Sequence, residues 1–328
     1  MAFDQILEQD FLAVTENAAI AAAQTMGYGD HQRSDRLAVE AMRSTLDQIE
    51  IAGRIVIGEG ERDQAPMLYV GEEVGALKGG GGADRAVDLA VDPLEGTHQC
   101  AAGAPGAVSV LAASDRGGLL HAPDVYMEKI VVGPTARGAV QLDAPVPENL
   151  RNVARAFGRE VSDLTVVVLD RDRHRQLIAD IRGAGARIRV IPDGDLAAAI
   201  SAAVRGTGVH AVMGTGGAPE GVLAAAAMRC LGGEIQARLK AIGEAQEKRL
   251  EELGIADVDR IYRTEDLAPG DRLVFSCSGV TDGELLRGVR FFGGGTRTST
   301  LFMSLASGII RFVDTIRREE EGSPVRFR

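Results

Sequence analysis

The sequence predicts an α/β protein whose first half is better described as α+β. Three observations lead there. Two helical stretches precede the first strand. Apolar, strand-like runs ending in acidic, glycine-rich turns recur between residues 54 and 132. From residue 164 onward, strands and helices alternate regularly. With 328 residues, 45% of them hydrophobic and 25% charged, the chain has ample material for a buried core.

Taken in order, Leu7, Phe11, Leu12, Val14, Ala18, Ile20 and Ala22 recur at roughly helical spacing over 7–26, before a stop at Gly27-Tyr-Gly29. A second helix is expected from about Asp35, behind Ser34 as cap, through Ala38, Met42, Leu46 and Ile49. Residues 54–57 read as a strand, and Pro66 is placed to open a helix through Met67, Leu68 and Val70. Residues 78–83 form a glycine-rich loop, with strands expected at 86–91, 107–113 and 126–132. Ala144-Pro-Val-Pro147 suggests a domain boundary, giving domains 1–147 and 148–328. Beyond it, strands at 164–169, 187–191 and 209–213 alternate with helices at 173–182, 195–204 and 219–231, the last extended by a charged stretch to about Leu253. That order implies a substantially parallel sheet.

Composition excludes several classes. Against 36 basic side chains stand 47 acidic ones, a net charge of −11 with no Lys/Arg block, so a nucleic-acid partner is not expected. No apolar stretch approaches the ~20 residues of a membrane span. The opening residues lack the order of a signal peptide, and Cys100, Cys230 and Cys277 are sparse and unpaired in sequence, which suits a reducing cytoplasm. Trp is absent and Gly numbers 41, which favours tight loops around a polar small molecule over base-stacking platforms.

Acidic side chains sit where strands end in glycine turns. They are Glu59, Glu61 and Asp63, then Asp92 and Glu95, then Asp193 and Asp195, and finally Glu220. Each could be an ordinary turn residue. Four such loops without a Cys/His set instead suggest oxygen ligands for a hard cation such as Mg²⁺ or Mn²⁺. Asp92-Pro-Leu-Glu-Gly-Thr97 is the most specific. Pro93 stiffens the turn, Gly96 permits close backbone approach, and Thr97 adds a hydroxyl, which are the parts of a metal-and-phosphate site.

That turn resembles the signature of the lithium-sensitive sugar and inositol phosphatase superfamily. The collinear segments VIGEGERDQAPMLYVGEEVG (56–75), AVDPLEGT (90–97), APDVYMEK (122–129), DRDRH (170–174), IPDGD (191–195) and GTGGAPEGV (214–222) are similar to class II fructose-1,6-bisphosphatases. GVRFFGGGTRTSTL (288–301) and Arg311-Phe-Val-Asp-Thr315 are closest to the bifunctional fructose-1,6/sedoheptulose-1,7-bisphosphatase branch. The resemblance spans about residues 5–316 and implies a layered αβαβα fold with two sheets. It also implies hydrolysis of a sugar 1-phosphate with two or more Mg²⁺ or Mn²⁺ ions, in a homo-oligomer, dimer or tetramer. Carried over motif by motif, the metal ligands fall on Asp35, Glu59, Asp92, Glu95 and Glu220. Asp63 and Thr97 match the positions that orient the attacking water. Substrate contacts fall on Glu95, Gly96, Thr97, Tyr126, Arg171, Asp172, Arg173, Asp193, Gly194, Asp195 and Gly217.

Three departures stand out. His31-Gln32 replaces a Lys-Asn pair, Asp172 replaces a common Pro, and the charged segment 236–253 is short where relatives carry an insertion. Gly214-Thr-Gly216-Gly-Ala-Pro219 partly mimics a dinucleotide fingerprint, but Pro219 replaces its third glycine and no ribose-binding acid follows. His98 belongs to no triad, His121, His174 and His210 read as structural or surface residues, and Cys100 reads as an inert thiol. Two alternatives stay open at this point: an inositol-type monophosphatase, and a sugar-phosphate-binding regulator without turnover.

Overall fold

The computed structural model describes residues 3–60, 67–80, 85–252 and 257–318. In chain order its elements are α1 (Phe3–Ala23), α2 (His31–Leu46), β1 (Ala52–Ile57), β2 (Glu73–Val74), β3 (Ala86–Glu95), α3 (Thr97–Ala102) and β4 (Val108–Asp115). There follow β5 (Tyr126–Val132), α4 (Val146–Phe157), β6 (Thr165–Leu169), α5 (Arg175–Gly183), β7 (Arg187–Ile191), α6 (Asp195–Ala203), β8 (Ala211–Gly217) and α7 (Ala218–Leu231). The remainder is β9 (Glu234–Lys240), α8 (Glu244–Glu252), β10 (Tyr262–Arg263), α9 (Thr264–Leu267), β11 (Val274–Gly279), β12 (Arg290–Phe292), β13 (Gly295–Ser304) and β14 (Ile309–Arg318). The α/β class expected from the sequence is what forms, with two mixed sheets. Among the described residues, no helix is long and apolar enough to cross a membrane.

The chain divides into two units, Met1–Gly118 with Gly270–Arg328, and Leu119–Pro269. The boundary expected near residue 147 lies inside the second of these. The reason is a long-range pairing: β11 runs antiparallel to β4, Cys277 opposite Val110, so a segment near the C-terminal end of the sequence completes the first sheet. That sheet runs β12-β13-β11-β4-β3-β1-β2, with β14 on β13, and only β1–β3 is parallel. Phe11, Val14 and Ala18 of α1 and Val39, Met42 and Leu46 of α2 form helical stripes. They pack with Ile55, Leu89, Leu111, Val274 and Phe302 of the sheet in one core. Helix α2 begins four residues before the expected Asp35, because Asp30 is the cap, accepting the Arg33 N–H at 3.0 Å. Ser34 is buried within the helix, bonded to the Asp30 carbonyl and to Thr25. No helix forms over Met67–Val70, where Leu68 takes φ +54°. Pro66 and residues 81–83 of the glycine-rich loop lie outside the described residues.

The second sheet runs β10-β9-β5-β8-β6-β7. It is mixed rather than largely parallel: β6 pairs parallel with β7 and β8, whereas β5 pairs antiparallel with both β8 and β9. The expected helical extension of α7 is not there. Gly232 adopts φ +73° and caps the helix through the Met228 carbonyl, and the chain returns as β9 before the separate α8.

Candidate active site

In the first unit, Asp92 and Glu95 lie on β3 against β4. Asp92 pairs with Val110 and Glu95 with Val108, so three steps along β3 match two along β4. This bulge puts both carboxylates on one face of the strand, which a regular strand would forbid at that odd spacing. Pro93 sits within the bulge, where no ladder hydrogen bond is required of it. Asp92 Oδ1 accepts the Leu94 N–H at 3.1 Å, and Glu95 is buried. Gly96 then turns at φ +84° into α3, where a side chain would press within 3.2 Å of Ala107 Cα. The Thr97 hydroxyl donates to the Leu94 carbonyl at 3.1 Å, which leaves its lone pairs free to accept. Cys277 faces this cluster from β11. Burial first, and the Glu95 and Asp92 charges next, push its thiol well above the usual range.

Glu59 follows β1 in a tight turn. A side chain at Gly58 would meet the Leu68 carbonyl at 1.9 Å, so only glycine fits. The Glu59 N–H donates to that same carbonyl at 3.0 Å, and Val70 N–H reaches Gly60 O at 2.9 Å. Burial, and then the Asp35 charge, raise Glu59 to about 8, while burial also raises Asp35. The two carboxylates are therefore close enough to oppose one another's ionisation. Glu61 and Asp63 lie outside the described residues. The His31 and His98 rings lie with centroids 4.4 Å apart and planes tilted by 45°, beside the start of α2 and the Thr97 turn.

The second unit carries the other set. Lys129 on β5 and Asp195 at the start of α6 form a buried ion pair at 2.7 Å, and Lys129 Nζ also donates to Gly217 O at 3.3 Å. Glu220 lies in the first turn of α7 with its buried Oε2 accepting no hydrogen bond. Burial and then Asp195 raise its pKa, against the pull of Lys129. The glycines of residues 214–217 make room for these groups. A Cβ at Gly214 would come within 3.0 Å of His174, at Gly216 within 2.3 Å of Asp195, and at Gly217 within 1.9 Å of Glu220. The three glycines of the stretch that partly mimics a dinucleotide fingerprint are thus positions kept clear for three other side chains.

The phosphate-binding candidates surround it. Arg173 donates twice to Thr215 O, at 3.1 and 2.8 Å, and lies over the Tyr126 ring at 4.6 Å, so its guanidinium is held in one plane. Arg171 donates to Asp170 O and Pro192 O. Asp172, the unusual acid, pairs with Arg175 at 2.6 Å, and both are largely exposed. Asp193 is half-buried, and Gly194 at φ +87° caps α6. His174, buried, hydrogen-bonds Leu169 O and Thr215 N, as its structural reading requires. Lys129 is the partner that sequence reasoning left without a role. The signal for it was a lysine inside the apolar run of β5.

By donor chemistry these carboxylates suit a hard divalent cation: oxygen only, with burial raising Asp35, Glu59 and Glu220, and a neighbouring Asp adding to the rise at Glu59 and at Glu220. Among the described residues, no three His, Cys, Asp or Glu side chains are gathered closely enough to hold a metal ion by themselves.

Residues 5–317 match the family model described as bacterial fructose-1,6-bisphosphatase, glpX-encoded. Among curated proteins, the chain is 51% identical to the D-fructose 1,6-bisphosphatase class 2/sedoheptulose 1,7-bisphosphatase of Synechococcus sp. (strain JA-3-3Ab), over 98% of each chain. The proteins of the same description from Synechococcus elongatus, at 48% identity over 97% of this chain and 98% of the other, and from Synechocystis sp., at 49% over 97% of each, are similar as well.

Proposed function

Because the chain belongs to the glpX-encoded bacterial fructose-1,6-bisphosphatase family, we propose that it hydrolyses the 1-phosphate of both fructose-1,6-bisphosphate and sedoheptulose-1,7-bisphosphate. The observation that carries the reading is the β3 bulge, which aims Asp92 and Glu95 the same way and runs directly into the Gly96-Thr97 turn. Asp35, Glu59, Asp92, Glu95 and Glu220 are the residues proposed to hold two or more Mg²⁺ or Mn²⁺ ions. When bound, the ions supply charge neutralisation and polarisation of the phosphoryl group.

The chain's own residues do the rest. The Thr97 hydroxyl, already donating to Leu94 O, accepts from the attacking water and orients it, with Asp63 as the proposed base. The water oxygen bonds to phosphorus as the ester P–O bond breaks in line, and the sugar alkoxide takes up a proton. No phosphoenzyme forms. Arg173, fixed by Thr215 and Tyr126, and Arg171 bind the substrate's phosphate oxygens, while Asp193 and Asp195 accept from sugar hydroxyls. A cytoplasmic homo-oligomer belongs to the same proposal.

The test is phosphate release from the two bisphosphates side by side, with Mg²⁺, Mn²⁺ or EDTA. Release from both, dependent on the cation, is expected. Release from the hexulose alone restricts the activity to fructose bisphosphatase, and none from either, in folded protein, overturns the reading.

A further inference from the structure

Within the second unit a cavity of about 440 Å³ uses none of the residues assigned above. Its walls include Pro134, Phe157, Val204, Arg159, Arg205 and His210. His210 is 6% exposed, and its ring packs edge-on against Phe157 with centroids 5.0 Å apart.

The imidazole poses a problem of proton bookkeeping. Its Nδ1 accepts the Thr165 backbone N–H at 3.0 Å, so that nitrogen carries no proton. In the neutral ring the proton therefore sits on Nε2, which becomes a donor. Yet Nε2 lies 3.3 Å from Nη1 of Arg159, and a guanidinium can only donate. Two donor groups therefore face one another across that distance. Charging the ring is disfavoured, since burial and then the Arg159 and Arg187 charges outweigh the support of the Thr165 backbone and of Asp163. Arg159 and Arg205 are both exposed, and neither makes an ion pair with a carboxylate among the described residues. On a chain of net charge −11, one cavity is thus lined by two guanidinium groups outside any ion pair.

We propose that this cavity binds a phosphoryl-bearing small molecule, one oxygen of which accepts from both Arg159 Nη1 and His210 Nε2–H. A phosphate monoester carries up to two negative charges, matching the two guanidinium groups, and its oxygens accept several hydrogen bonds at once. Phe157, Pro134 and Val204 supply an apolar wall for the rest of the molecule. The site is independent of the proposed hydrolysis.

Inorganic phosphate and phenylphosphonate, titrated calorimetrically into the full-length protein in EDTA, test this. The variants are Arg159→Gln, His210→Asn and Arg173→Gln. Asn at 210 offers an oxygen to the Thr165 N–H while removing the Nε2 donor, and Arg159 is exposed, so the fold is spared. Arg159→Gln and His210→Asn are each expected to weaken phosphate binding roughly tenfold or more, at a site that Arg173→Gln leaves intact. Phenylphosphonate is expected to bind more tightly than phosphate. Binding indifferent to both substitutions, or abolished by Arg173→Gln alone, overturns the site. Phenylphosphonate no tighter than phosphate overturns the role of the apolar wall.

Discussion

Glu72 accepts the backbone N–H of Leu68, the one non-glycine among the described residues with a left-handed backbone, at φ +54°. The same Leu68 receives the Glu59 N–H on its carbonyl, so a buried carboxylate braces the turn that presents Glu59. Arg43 holds Glu72 in turn, Nε to Oε1 at 2.9 Å. Glu72→Ala removes the acceptor of a buried N–H and one partner of Arg43, which keeps Asp47. It should cost about 1–3 kcal/mol of stability, discounted because Arg43 is partly exposed. Urea unfolding measures the cost, and amide exchange at Glu59 should quicken with it. Unchanged exchange at Glu59 contradicts the bracing role.

Gly96→Ala and Glu95→Gln separate backbone from charge in the Asp92 turn. The first imposes φ +84° on a residue with a side chain, about 1–2 kcal/mol of strain, and crowds Ala107. The second keeps the shape while removing the charge and turning one acceptor oxygen into a donor. Glu95→Gln should abolish phosphate release with the melting temperature held near wild type, whereas Gly96→Ala should lower both. Full activity in Glu95→Gln would falsify the proposed ligand set.

Lys129→Met strands Asp195 beside Glu220 in a buried setting. Breaking a buried pair from one side costs about 3–5 kcal/mol. Adding Asp195→Asn should restore part of that loss, so the double variant is more stable than Lys129→Met alone. Strictly additive losses in denaturant unfolding would mean that the pair at 2.7 Å is not coupled.

His174 sets a dependence on pH. Its Nδ1–H donates to Leu169 O and its Nε2 accepts from Thr215 N, both at 2.8 Å, so a second proton has no place. Burial, the main cause, lowers its pKa below the ordinary value of 6.5. As the pH falls through that value the unfolded chain takes a proton that the folded chain refuses, and folding stability falls, by up to about 1.4 kcal/mol per unit. Above it the contribution is constant. Urea midpoints in EDTA from pH 7.5 to 5.5 should fall more steeply in wild type than in His174→Gln. Parallel slopes contradict this assignment.

Much of the candidate site was legible because it is local. The acids at strand ends, the Asp92-to-Thr97 turn and the glycines before Glu220 are visible in short windows of sequence. Whatever depended on distant pairing was not. Nothing near residue 274 announces that β11 will lie beside β4, so the boundary at 147 followed the proline-rich turn instead. Residues 66–70 carry a helix-opening proline and apolar spacing, yet a carboxylate four residues beyond Leu68 holds it in a conformation no helix allows. The glycine pair at 232–233 was a stop that the charged residues after it disguised. Lys129 looked like a misplaced charge until Asp195, 66 positions later, came to meet it.

The return of β11–β14 to the first sheet also sets an order of events at the ribosome. Residues 119–269 are made while β4 still waits with one edge bare for a partner more than 150 residues downstream. An unpaired edge invites other chains. Newly made protein is therefore most exposed to mispairing during the interval before Val274–Gly279 appears. The turn bearing Asp92 and Glu95 gains its far neighbour, Cys277, only then, so its surroundings are completed by a segment made long after the turn itself.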